Sequence, residues 1–153
     1  MNIAAVIEDL AISQKSFYLI KAFNKGIDNT DNSFGVFYQR PSIPPIEPLF
    51  GCKLTAYLAS FEGVVIPTTL KEAEICLKST NKTRIFLYLW DLSWLENSIN
   101  FSKAMDILRN EKTNIIARSA SHAKCIENFC NKTPIGIVDN WDMDDMMGII
   151  NES

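Results

Sequence analysis

The sequence predicts an α/β domain of three layers: a Rossmann-like, mainly parallel sheet with helices on both faces. Three observations carry this reading. The chain opens on Ile3-Ala-Ala-Val-Ile7, an uninterrupted apolar run of the kind found in strands buried on both faces. Strand-like and helix-like segments then alternate almost to the end, the order that builds a parallel sheet with right-handed crossovers. The strongest strand pattern, Arg84 to Trp90, lies mid-chain and reads as a central strand.

After the first strand, Ile12, Leu19, Ile20, Phe23 and Ile27 share one helical face, with Gly26 and Asp28-Asn29 punctuating its end. Phe34 to Tyr38 is a short aromatic and β-branched strand. Pro41, Pro44, Pro45 and Pro48 follow, too dense for regular structure, so residues 41–50 form a surface loop. Lys53 to Leu58 and Gly63 to Ile66 are further strands, the second ending at Pro67, which has no amide hydrogen for a ladder. Thr69-Leu-Lys-Glu72 fits a capping box: the threonine oxygen takes an amide of the first turn and the glutamate reaches back, opening a helix over 69–78. Phe101, Ala104, Met105 and Leu108 place a third helix over roughly 100–110, and Asn114 to Ala117 returns to a buried strand. Ser119 caps a helix carrying Ala123, Ile126 and Phe129. Pro134 to Val138 is the last strand, and Met143, Met146, Met147 and Ile150 mark a final helix whose acidic start suits its dipole. The methionines read as docked core or as an interaction patch.

Length and composition bound the function. The chain has 153 residues, 47% hydrophobic and 22% charged, the profile of one folded domain spanning 1–153. Its 15 Lys and Arg against 18 Asp and Glu give a net charge of −3, so nothing in the bulk electrostatics recruits nucleic acid or anionic lipid. No apolar stretch approaches the ~20 residues of a membrane span, and Glu8-Asp9 stands where a signal peptide would be basic. A cytoplasmic protein is expected, and the four Asn-x-Ser/Thr triplets at Asn81, Asn100, Asn131 and Asn151 then carry no information. Cys52, Cys76, Cys125 and Cys130 lack metal or redox spacing and sit among apolar neighbours, as buried thiols do; no metal and no cofactor are expected.

In open parallel sheets ligands bind beyond the carboxyl ends of the strands, where strand order reverses. The residues there are Glu8, Asp9 and Ser13, then Thr68 and Thr69, Asp91 and Trp94, Arg118, Ser119 and His122, and Asp139 to Asp142. Asp91 either caps the turn Asp91-Leu-Ser-Trp94 or faces a ligand. Trp94 either packs in the core or offers a flat platform for a sugar or base. Ser119 is a helix cap, and with Arg118 beside it the helix start also suits an anion. His122, the single histidine, has no partner at catalytic spacing and reads as a solvated first-turn residue. Neither of the two glycine-rich nucleotide loops is present. Glu8-Asp9 ends its strand as paired acids do in receiver domains, but the late strand that would supply their lysine ends in Asp139. No residue is assigned a catalytic role.

The order of motifs resembles the amino-terminal Rossmann-like half of GT-B glycosyltransferases, of the retaining, glycogen-synthase-like type. The resemblance runs through Asn2-Ile-Ala-Ala-Val-Ile-Glu-Asp9, Gly63-Val-Val-Ile-Pro-Thr-Thr-Leu70, Ile85-Phe-Leu-Tyr-Leu-Trp-Asp91 with Trp94, and Ile115-Ile-Ala-Arg-Ser119 leading into His122-Ala-Lys-Cys-Ile126. Ala11-Ile-Ser-Gln14 stands where that family has a glycine-rich turn, and the family's carboxyl-terminal half, which binds the nucleotide-sugar, has no counterpart in these residues. The resemblance implies a domain that binds a carbohydrate or acceptor, and is inactive alone or acts with a partner chain or as an oligomer. Asp9, Ser13, Thr68, Thr69, Asp91, Trp94, Arg118 and Ser119 are its ligand-binding candidates. Such a compact half would suit a viral genome, with the host cytoplasm as its location. The alternative is a non-enzymatic adaptor of the same fold, presenting the proline loop and the Met-rich helix to a protein partner.

Overall fold

The computed structural model of the chain describes residues 1–79, 83–95 and 101–153. Asn81, Asn100 and the expected first residue of the third helix lie outside the described residues. Seven strands form one sheet, all parallel: β1 (Asn2–Ile7), β2 (Ser33–Tyr38), β3 (Gly51–Leu54), β4 (Gly63–Pro67), β5 (Thr83–Leu89), β6 (Thr113–Ala117) and β7 (Gly136–Ile137). Between and after them run α1 (Gln14–Asn29), α2 (Leu70–Ser79), α3 (Phe101–Arg109), α4 (Ala120–Cys130) and α5 (Met143–Glu152). The spatial order is β3-β2-β1-β4-β5-β6-β7, so the chain works outward from β1 to one edge and returns to start again at β4. Strand order therefore reverses between β1 and β4, the position at which open α/β sheets hold ligands.

Pleating splits each strand between two cores. Ile3, Ala5 and Ile7 of β1 join Phe86, Tyr88 and Trp90 on the face covered by α1 and α5. Ala4 and Val6 turn the other way, toward Leu58 and Cys76, and on that side Leu87, Leu89, Ile115 and Ala117 meet α2, α3 and α4. These are the three expected layers. Because both faces are covered, the central strands read as unbroken apolar runs, which made them legible in sequence.

Four local expectations are corrected. Asn29 ends α1 as expected, but Gly26 does not punctuate it; it lies buried within the helix, where a Cβ would stand 2.8 Å from the Phe34 ring. Of the expected strand 53–58 only Lys53 and Leu54 are paired, at the end of a strand that begins at Gly51, since Leu54 lies opposite Tyr38, where β2 ends. Without a ladder partner, Thr55–Ser60 closes into a 3₁₀ turn that drops Leu58 into the core. The last strand shrinks to Gly136–Ile137, matched to the two final residues of β6. All four cysteines are free thiols, and Cys76 and Cys130 are buried, but Cys125 is exposed on α4. Residues 41–50 hold no helix or strand. Among the described residues no helix is long and apolar enough to cross a membrane.

Candidate functional site

All seven strands point the same way, so the candidate residues gather along one rim of the sheet, but the structure sorts them into four places. At the end of β1, Asp9 is occupied twice: one carboxylate oxygen accepts from the Ala11 amide at 3.0 Å and the other from the Arg40 guanidinium at 3.2 Å. Glu8 shares that guanidinium at 3.1 Å. These exposed pairs tie the β1–α1 loop to the end of β2 and contribute little stability.

At the reversal point a polar network crosses from α1 to α2. Ser13 caps α1, accepting from the Ser16 amide at 3.0 Å. One residue into the helix, Lys15 reaches across the sheet end and donates to Thr68 Oγ1 at 3.4 Å. Both the amide (3.1 Å) and the hydroxyl (2.9 Å) of Thr68 donate to Glu72 Oε2, while Thr69 Oγ1 accepts from the Glu72 amide at 3.3 Å. The capping box forms, with its return bond made one residue earlier than the motif prescribes. Glu72 is only 1% exposed. Burial raises its pKa above the usual carboxylate range, opposed by the Lys15 charge and by hydrogen bonds from Thr68 and Thr69.

The third place is a groove of about 300 Å³ on the α2–α3 side, walled by Thr69, Leu70 and Lys71 at the start of α2. Opposite them stand Ser93 and Trp94, in the short 3₁₀ turn after β5, and Lys103, Ala104 and Ile107 of α3. Trp94 is held edge-to-face by Phe129 of α4, ring centres 4.7 Å apart. Its indole N–H is buried and without a hydrogen-bond partner among the described residues, a feature that ordinarily calls for an explanation. Asp91 stays outside the groove lining: its Oδ1 accepts from the Ser93 amide at 3.0 Å and hydroxyl at 2.6 Å, and so fixes the turn that presents Trp94.

The fourth place lies on the α1 side, beyond β5 and β6. The Arg118 guanidinium stacks 3.9 Å over the Trp90 ring and donates to Asn140 Oδ1 at 2.7 Å. Asn140 and Trp141 both adopt positive φ, 46° and 61°, a costly conformation for a tryptophan that places its ring against Tyr88 and Phe23. Ser119 caps α4 through the His122 amide at 3.2 Å, and His122 is half-buried in the first turn with Nδ1 unpartnered among the described residues. Among the described residues no three His, Cys, Asp or Glu side chains converge as a metal ion would require.

Thr69 and Trp94, singled out from different loops, thus meet across one groove, whereas Ser13 bonds only within the first turn of α1 and Thr68 is reached from α1 by Lys15. Lys15, Glu72, Ser93 and Lys103 escape sequence reasoning as members of these sites. Lys15 leaves one usable mark, a cation two residues past the cap of the helix that follows the first strand; Lys103 leaves none, because it arrives from a separate helix. No family of known proteins, no curated protein and no solved structure matches the chain.

Proposed function

We propose that this domain is a glycosyltransferase-like amino-terminal half of the GT-B type, binding a carbohydrate in the groove between the β4–α2 turn and α3. It would be inactive alone, with the donor contacts supplied by a partner chain. The observation that carries the reading is the meeting of Thr69, Ser93 and Trp94 around one concave space. An aromatic ring with hydroxyls at its edge is the arrangement that stacks on the apolar face of a sugar and bonds its rim. A space of about 300 Å³ sits at the low end of the small-molecule range, roughly 300–1,000 Å³, so it suits one sugar ring. The order of strands supports the same reading, since the groove opens along the rim on which the reversal point lies.

Calorimetric titration of the full chain with glucose, maltotriose and UDP-glucose tests this. At least one is expected to bind saturably and to raise the melting temperature, and Trp94→Ala should abolish the effect. The adaptor reading has an observation of its own: Ile43 and Leu49, in the proline loop, are 81% and 64% exposed, whereas Met143 and Met146 are docked in the core. Absence of binding to all three sugars, with a protein captured through that loop and lost in an Ile43→Ser, Leu49→Ser variant, would favour the adaptor.

A further inference from the structure

On the opposite face from the sugar groove, α1 and α5 run side by side and leave between them a cavity of about 380 Å³. Its floor is apolar, made by Phe34, Met143 and Met147. Lys25 on the α1 wall and Asp144 on the α5 wall both line it, and neither makes an ion pair among the described residues. Two exposed residues of opposite charge therefore border one space without forming an ion pair with each other.

Gly148 of α5 lines the same cavity, and its presence is not explained by packing. A Cβ there would meet nothing within 4 Å, and its backbone is not in the left-handed region. Gly26, on the facing wall, differs, since a side chain would strike Phe34. A glycine inside a helix costs about 1 kcal/mol relative to alanine. With no steric demand for it, what Gly148 provides is an open cavity.

We propose that this cavity is a binding site for a free α-amino acid with an apolar side chain. The carboxylate is held by Lys25, the ammonium by Asp144, and the side chain lies on Phe34, Met143 and Met147. A zwitterion is the small-molecule class that satisfies both walls at once, and the volume limits the occupant to one compact molecule. The site is separate from the sugar groove and does not depend on that reading.

The test is calorimetric titration of the full chain with L-leucine, L-methionine and L-phenylalanine, alongside D-leucine and N-acetyl-L-leucine amide, which lacks both charges. At least one L-amino acid is expected to bind saturably, and the uncharged analogue not to bind. Lys25→Met and Asp144→Asn should each weaken binding about tenfold, equal to about 1.4 kcal/mol. Gly148→Leu should abolish binding, while Gly148→Ala leaves the melting temperature equal or higher. If Gly148→Leu does not fold, the two charge variants decide alone. The proposal is overturned if none of the L-amino acids binds, if D-leucine or the uncharged analogue binds as tightly, or if the charge variants bind as wild type does.

Discussion

Glu72 completes the cap of α2 and, in doing so, brings a carboxyl group into a place that excludes water. Removing it leaves the Thr68 amide and hydroxyl without an acceptor in a buried site, so Glu72→Ala is expected to cost about 2–3 kcal/mol in urea unfolding. Glu72→Gln keeps an acceptor oxygen and should cost about 1 kcal/mol. The pH dependence has a definite sign. Burial holds the carboxyl above its ordinary value of 4.5, so the folded chain binds this proton more tightly than the unfolded one. Its contribution is then fully present below the unfolded value and lost as pH rises through the folded one. Melting temperatures should therefore show wild type losing ground to Glu72→Gln between pH 4.5 and neutrality. A difference that stays constant over that range would contradict the assignment. The box Thr69-Leu-Lys-Glu72 announces the cap in sequence, but not the burial of Glu72 or the bonds it accepts from Thr68, one residue before the box.

Elements were legible where they are buried on both faces and less so at the edges. Ile3–Ile7 and Arg84–Trp90 declare themselves by unbroken apolar runs, since every side chain meets a helix layer. At the edges the length of a strand is set by its neighbour: β3 stops where β2 stops, and β7 is as short as the end of β6 allows. No propensity in Thr55–Leu58 records that. One element boundary yields a sharp prediction. Gly63 begins β4 at φ 142°, and any side chain there would run into the Asn2 carbonyl oxygen of β1. Gly63→Ala should destabilise the fold by about 2 kcal/mol in denaturant unfolding, against no loss at Gly148→Ala. Equal effects at the two glycines would mean that the β1–β4 contact is not the constraint.

For the whole molecule, the sheet order turns residues far apart in sequence into neighbours. The list of strand ends was readable because every strand is parallel, so each carboxyl end contributes to the same rim. Which of them share a space was not, because that depends on how α1, α3 and α4 lie across the sheet. Asp91 illustrates the gap: its position pointed to the rim, and its carboxylate serves the turn that carries Trp94. Arg118 likewise stands at a helix start, yet stacks on Trp90 and bonds Asn140. The reading of this domain as carbohydrate-binding rests on Trp94. Trp94 lines the groove, whereas Trp90 stacks against Arg118 and Trp141 is sealed in the core. The most direct measurement is the set of tryptophan indole N–H resonances of the ¹⁵N-labelled chain during titration with maltotriose and UDP-glucose. The account predicts a saturable shift of the Trp94 resonance, assigned by its loss in Trp94→Phe, with those of Trp90 and Trp141 nearly still. A Trp94 resonance that does not move at saturating sugar, or three that move together, would contradict it.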